Sequence, residues 1–250
     1  PVAALDLYNF ARELSFDVIS IGKGKNNPFD TFATPSSLTK EASLKQMNPK
    51  MLTSFVDGTK TMVEMAALAN FLGFNIDIDG MHGIEATYEN INQFYIPKKD
   101  GGLLDESQVV DFAFGIAPGV FAVIYSEDDY VNYEMEYLKM GKGPYWTLAR
   151  PYHLTSLEIP RTIRHIMLEK YSKLSAQSWN VEVVAHAKQD IEPGTNLGSI
   201  GGDYIYGKAQ KTSSSKGLLP IGIAEDNVVT KAIAKGNPIA IDEVDAQDNE

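Results

Sequence analysis

The sequence predicts an α+β domain followed by a small all-β domain. Three observations carry this. Helical and strand-like periods alternate over the first part of the chain. From Val181 onward the runs are short and β-like, broken by Gly and Pro turns, with no convincing helix longer than a turn. Two stretches of that later part share a skeleton. We therefore expect one domain over residues 1–178 and a second over 179–250, with the boundary near 178–181.

In order, residues 3–15 place Ala4, Leu7, Phe10, Ala11 and Leu14 at helical spacing. Val18 to Ile21 reads as a buried strand running into a Gly-punctuated turn. Residues 26–53 are polar and rich in Pro, Ser and Thr, a long connection with a short helix from about Ser37 to Lys45. Asp57 is a candidate N-cap for a helix running to Leu72, with Met62, Met65, Ala66, Ala69 and Leu72 on one face and Gly73 as its stop. Strands follow at 109–114 and 119–125. An acidic, aromatic helix ends at Gly141, a strand breaks at Pro151, and a helix starts near Pro160 and runs to about residue 174. In the C-terminal part Lys188, Ile191, Gly194 and Leu197 answer to Lys231, Ile233, Gly236 and Ile239, with one residue dropped, which indicates a degenerate duplication. Residues 211–217 read as a flexible insert between the halves, and 244–250 as a disordered acidic tail.

Composition narrows the function. The chain has no cysteine, which excludes disulfides, thiolate metal sites and a Cys nucleophile. The formal net charge of −11 works against nucleic-acid binding, which needs Lys and Arg to neutralise phosphates. No apolar run reaches the roughly 18 residues of a membrane span, so a cytoplasmic protein without a membrane partner is expected. No carboxylate cluster or His spacing suggests a metal. No dinucleotide fingerprint is present either: Gly22 and Gly24 give G-x-G, but Asn27 stands where the third glycine belongs. Gly198, Gly201 and Gly202 lie in a β-rich tract with no helix after them.

The foremost candidate site is Lys23, Lys25, Asn26 and Asn27 at the exit of the first strand, where α/β proteins bind ligands. The ammonium groups suit a carboxylate or phosphate, and the amides suit a carbonyl or hydroxyl. The plainer alternative is a solvated turn. Lys60 and Glu64 form an i, i+4 pair in the less favourable order for helix stability, either a surface ion pair or a proton-transfer pair. Asp57, His82 between glycines, Arg150 before Pro151, and His153 complete the substrate-binding candidates. For the histidines and Arg150 a structural role stands as the alternative.

The segments GKGKNNP, MNPKMLTSFVDGTKTMVEMAALAN, GMHGI, PKKDGGLL, GIAPGVF, YLKMGKGPYWTLARPYHLTSLEIP, AKQDIEPGTNLGSIGGDYIYG and LPIGIAE cover nearly the whole chain. In this order they resemble homoserine-dehydrogenase-like oxidoreductases with a C-terminal SAF (antifreeze-like, β-clip) domain, a group that includes deoxyxylulose-phosphate-reductoisomerase-like enzymes. The resemblance implies a catalytic and dimerisation domain over 1–178, a SAF-like domain after it, and a homodimer. It also implies NAD(P), bound mainly by a Rossmann domain that this chain lacks. The start at Pro1 then reads as a boundary within a longer protein, and the fragment alone as inactive. The family's catalytic Asp and Lys stand four residues apart on this helix, where the chain has Lys60 and Glu64, the same spacing with the charges exchanged. The expected function is the catalytic and C-terminal part of an NAD(P)-dependent oxidoreductase acting on a small anionic hydroxy or oxo substrate. The alternative is a stand-alone SAF-containing binding or assembly module without redox activity.

Overall fold

The computed structural model describes residues 1–169 and 175–245; the end of the helix expected to reach 174 and most of the expected acidic tail lie outside these. The chain runs α1 (Val2–Glu13), β1 (Asp17–Gly24), α2 (Thr39–Leu44), α3 (Pro49–Val56), α4 (Thr59–Leu72), β2 (Ile84–Glu85) and α5 (Ile91–Phe94). It continues through β3 (Val109–Phe114), β4 (Val120–Tyr125), α6 (Asp129–Tyr137), β5 (Tyr145–Arg150) and α7 (Ile159–Glu169). The last elements are β6 (Val181–Ala187), β7 (Ile205–Lys211), β8 (Val228–Val229) and β9 (Val244–Asp245). Mixed α and β structure is thus followed by small antiparallel sheets. The residues cluster into two compact units. The first comprises 1–26 and 67–179, the second 27–66 and 180–250, and the division falls within α4.

The first unit holds a five-stranded sheet in the order β2-β3-β1-β4-β5. Its centre, β1, pairs parallel with β3 and antiparallel with β4. Val18, Ile19, Ser20 and Ile21 are all buried, the pattern of a strand covered on both faces. Ser20 makes this possible by donating to the Tyr95 carbonyl at 2.8 Å. Helix α1 packs on β1, β4 and β5. It buries Ala3, Ala4, Leu5 and Ala11 but leaves Phe10 and Leu14 half exposed, so the expected stripe is rotated toward its small residues. A further apolar cluster gathers Tyr95, Phe121, Ile91, Leu104 and Val109, with the rings of Tyr95 and Phe121 stacked at 5.5 Å. In β1 a Cβ on Gly22 would fall 1.8 Å from the Asp111 carbonyl oxygen, so only glycine lets the strands close there.

In the second unit the long connection contains a helix, α3, that periodicity alone did not indicate. Its start is chemically clear: the Asn48 side chain accepts from the Lys50 N–H at 2.9 Å, and Pro49 occupies the first turn. Leu52 and Val56 then pack with Ala33 and Ala42. Strands β6 and β7 form an antiparallel ladder from Val181↔Lys211 to Ala187↔Ile205. The expected flexible insert is folded into a turn, with Ser214 N–H donating to the Lys211 carbonyl and Ser215 buried.

The duplication is present as a reciprocal exchange of hydrogen bonds. Ile191 and Ile233 donate to each other, Gly194 donates to Val229 as Gly236 does to Ala187, and Leu197 donates to Asn227 as Ile239 does to Ala185. Each pair is offset by the same 42 residues (185 to 227, 187 to 229, 191 to 233, 194 to 236). Gly194 and Gly236 share φ values of +88° and +84°. The repeat therefore has no dropped residue, and the expected match of Lys188 with Lys231 is corrected: Lys188 answers to Thr230.

Gly22→Ala must push β1 and β3 apart, and we expect it to cost about 2 kcal/mol or more. Denaturant unfolding followed by the fluorescence of Trp146, fully buried in the same unit, reads this directly. Gly222→Ala, which meets nothing within 4 Å, should leave that transition unmoved; equal effects of the two would contradict the packing argument.

Candidate functional site

In the first unit the carboxyl ends of the parallel pair β1 and β3 meet a loop, Gly115 to Gly119. The loop is tied to β1, with the Gly24 N–H donating to the Gly119 carbonyl at 2.8 Å and the Lys25 N–H to the Ala113 carbonyl at 2.8 Å. A Cβ on Gly24 would lie 2.4 Å from the Ala117 nitrogen. Gly22 and Gly24 are thus required by backbone packing, and protein backbone fills the space where their Cβ atoms would stand. Lys23 between them is half-buried. Lys25 is only 5% exposed, and this removes the alternative of a solvated turn at that position. An ammonium withdrawn from water costs free energy unless anionic or carbonyl groups surround it. Asn26 is exposed.

The same loop reaches β5 and the residues after it. His153 contacts the Pro118 carbonyl through Nδ1. The Tyr88 hydroxyl donates to the Ile116 carbonyl at 2.6 Å, and burial raises its pKa. Arg150, paired in register with Val120, donates to Glu158 Oε1 at 2.5 Å and stacks over the Tyr152 ring at 4.9 Å. Asp6 and Arg161 extend this ion network. The Leu154 N–H, and then the charges of Arg150 and Arg161, hold the Glu158 carboxyl below its ordinary value. Arg150 is therefore held as part of an ion network, whereas Lys25 and His153 flank the loop itself.

A second cluster lies around His82, in a turn whose residues Gly80, Met81 and Gly83 all have positive φ. Buried Asp111 organises it. Its carboxylate accepts from the N–H groups of His82 (2.9 Å), Gly83 (3.1 Å) and Phe112 (2.7 Å), and the Tyr95 hydroxyl lies 2.9 Å away. Burial raises the Asp111 pKa, and the three backbone donors partly offset it. Burial also raises that of Tyr95, with the Asp111 charge adding to it. The His82 Nε2 lies 2.8 Å from Asp77 Oδ2, within hydrogen-bond distance. Asp77 is anchored by the Asp105 N–H at 2.9 Å. A part-exposed imidazole oriented by a buried carboxylate is suited to proton handling. Asp77, Tyr95 and Asp111 escaped the sequence reading; the one available signal was an Asp five residues before a glycine-flanked His.

In the second unit Asp57 is fully buried. Its Oδ1 accepts from the Thr59 N–H at 2.9 Å, as a helix cap does, and its Oδ2 stands 2.8 Å from Lys188 Nζ. Lys60 and Glu64 follow one turn apart on α4, both half-buried, with the Lys60 ammonium 4.3 Å from the centre of the Phe55 ring. Asn27 accepts from Lys45 Nζ at 3.2 Å. Among the described residues no cluster of three or more His, Asp or Glu could hold a metal, and no helix is long and apolar enough to cross a membrane. An open cavity of about 520 Å³ lies at the other end of β1, around Arg12, Asp17, Lys99 and Tyr125; no candidate residue lines it.

Comparison with known families shows the class to be oxidoreductase. Residues 1–159 match the family described as oxidoreductase DRL, catalytic domain, and the chain belongs to that family. The matched span contains Lys23, Lys25, Asn26, Asn27, Asp57, Lys60, Glu64, His82, Arg150 and His153, and ends before Lys188. The family thus supports an oxidoreductase function. No curated protein matches the chain.

Asp111→Asn turns an NH2 group toward the His82 or Gly83 N–H and should cost about 1–3 kcal/mol. Because the folded Asp111 pKa is raised, its contribution is full below the ordinary carboxylate value and is lost as pH rises through the raised value. The stability difference between wild type and Asp111→Asn should therefore shrink as pH rises above the ordinary carboxylate value. Urea unfolding at a series of pH values checks it; a difference that grows with pH would show that folding favours the charged form.

Proposed function

We propose that this chain supplies the substrate-anchoring and proton-handling parts of an NAD(P)-dependent oxidoreductase acting on a small anionic hydroxy or oxo compound. The observation that carries the reading is Lys25: a nearly buried lysine at the carboxyl end of a parallel strand pair, beside a loop flanked by His153, within an oxidoreductase catalytic family. Lys25 and Lys23 hold the carboxylate or phosphate of the substrate, and Asn26 orients a carbonyl or hydroxyl. In the same unit His82 exchanges the proton in this reading, supported by its 2.8 Å contact with Asp77. Within the second unit by itself, Lys60 with Glu64 is a candidate pair for giving or taking a proton, and Asn27 is engaged there by Lys45.

The residues present do not fit the pyrophosphate of a dinucleotide. The Cα sides of Gly22 and Gly24 are closed by the Asp111 carbonyl and the Ala117 backbone, so this G-x-G gives a pyrophosphate no close approach; in our reading the cofactor is held mainly by a Rossmann domain, as the family resemblance implies. We read the C-terminal part as a SAF-like β-clip on the strength of its reciprocal pairing. A homodimer accompanies the family resemblance.

Two measurements test the reading. Calorimetric titration of this chain with a small phosphomonoester or 2-hydroxy acid should show saturable binding, weakened about tenfold or more by Lys25→Met, the loss of one charge-assisted hydrogen bond. Unchanged affinity in the variant would remove Lys25 from the site. In a preparation that turns over NAD(P)H, Lys60→Ala should lower kcat about a hundredfold while moving stability by less than about 1 kcal/mol; retained turnover would remove Lys60 from proton transfer.

A further inference from the structure

We infer that Lys188, which lies beyond the matched catalytic span, is a positioning residue that fixes the amino end of α4 and through it Lys60 and Glu64. The inference rests on the proposed roles of those two residues, and its first test below does not depend on them.

The contacts form a short chain, all within the second unit. Lys188 is 2% exposed and Asp57 is fully buried. The ammonium donates to the Gly202 carbonyl at 2.8 Å and stands 2.8 Å from Asp57 Oδ2 as an ion pair without an aligned hydrogen bond. The other oxygen of the same carboxylate caps α4 at the Thr59 N–H. A second tie lies beside the first: the Gly207 N–H of β7 donates to Thr59 Oγ1 at 2.8 Å. A Cβ on Gly207 would meet Val183 at 2.8 Å and Thr59 at 3.0 Å, so a side chain there would press on this tie. Lys60 is the next residue along the chain. Its direction from the helix start is therefore set by contacts that end in β6, β7 and the loop between them.

The β fold itself does not ask for this lysine. In the second copy of the duplication the equivalent position is Thr230, and the copy closes with the same reciprocal backbone bonds. The neighbouring Lys231 is exposed and pairs with Asp242 at 2.7 Å. Lys188 thus marks a place where the repeat departs from its own symmetry, and the departure reaches Asp57. A buried ion pair is a poor source of stability, because desolvation offsets the attraction, yet losing one partner strands a charge. Such a pair specifies geometry more than it adds stability, and the geometry here is the first turn of α4. The Lys188 ammonium is engaged by the Gly202 carbonyl and by Asp57, so its effect runs through Asp57.

The test is amide hydrogen exchange on the whole chain, comparing Lys188→Met with wild type and with Lys231→Met. Exchange in residues 59–62 should rise about tenfold more than in 65–72 of the same helix or in β4, with Lys231→Met silent. A uniform rise that follows global stability overturns the inference. Should Lys188→Met fold poorly, the neutral pair Asp57→Asn/Lys188→Met keeps a capping oxygen without a stranded charge. It should recover global stability while leaving residues 59–62 fast; wild-type protection there overturns the inference. In a preparation that turns over, Lys188→Met should lower kcat about tenfold with KM within about threefold, and Lys188→Arg should recover part of the loss. A change in KM alone overturns the positioning role. If Lys60→Ala keeps wild-type turnover in that preparation, the reading of Lys60 and Glu64 fails, and the exchange result still decides whether Lys188 sets α4.

Discussion

The buried pair of Asp57 and Lys188 joins two stretches of chain separated by the whole central sheet in sequence. Residues 27–66 otherwise hold short helices, a small apolar cluster of Ala33, Ala42, Leu52 and Val56, and the contact of Phe32 with Tyr206. With the buried pair, and with the Thr59 to Gly207 bond, that segment gains a fixed partner in the C-terminal strands. Burying two opposite charges favours one arrangement sharply, because any other leaves an unpaired charge out of water. The start of α4 is thereby defined to within the reach of a carboxylate. The family's catalytic span includes that start but not the lysine that holds it.

The first unit solves a different problem. Its central strand must approach β3 closely enough to leave no room for a Cβ at Gly22, and its end must fold under the Gly115 to Gly119 loop with no room at Gly24. These closures carry Lys25 into a buried position at the carboxyl end of the parallel pair. Asp111, on β3 opposite Gly22, then collects the N–H groups of the His82 turn and sets that histidine against Asp77. Backbone packing fixes the two glycines of this segment, and the proposed anion site uses the lysines beside them.

Much of this was legible in the sequence. The helix at α4, the buried run of β1, the stop at Gly73 and the β-rich C-terminal part follow from period and punctuation, which are local properties. The lysines at the end of β1 stood out because a turn does not need them. The rest depended on contacts distant in sequence. Helix α3 has an apolar face too short to declare itself, and Asn48 with Pro49 is its only strong sign. Asp111 reads as one polar residue in an apolar strand until the turn that it caps folds over it. Sequence alone pairs Lys188 with Lys231, because a lysine one residue out of register invites alignment by identity, whereas the hydrogen bonds pair by position. The units also mix distant segments, which no contiguous division of the sequence expresses.

The central claim is that an anion is held by the lysines at the end of β1. Side-chain NMR of the chain labelled at lysine Nζ, titrated with a small 2-hydroxy acid or phosphomonoester, tests it most directly. The account predicts saturable shifts at Lys23 and Lys25. Shifts confined to exposed lysines such as Lys139 and Lys142, with Lys25 unmoved, would contradict it.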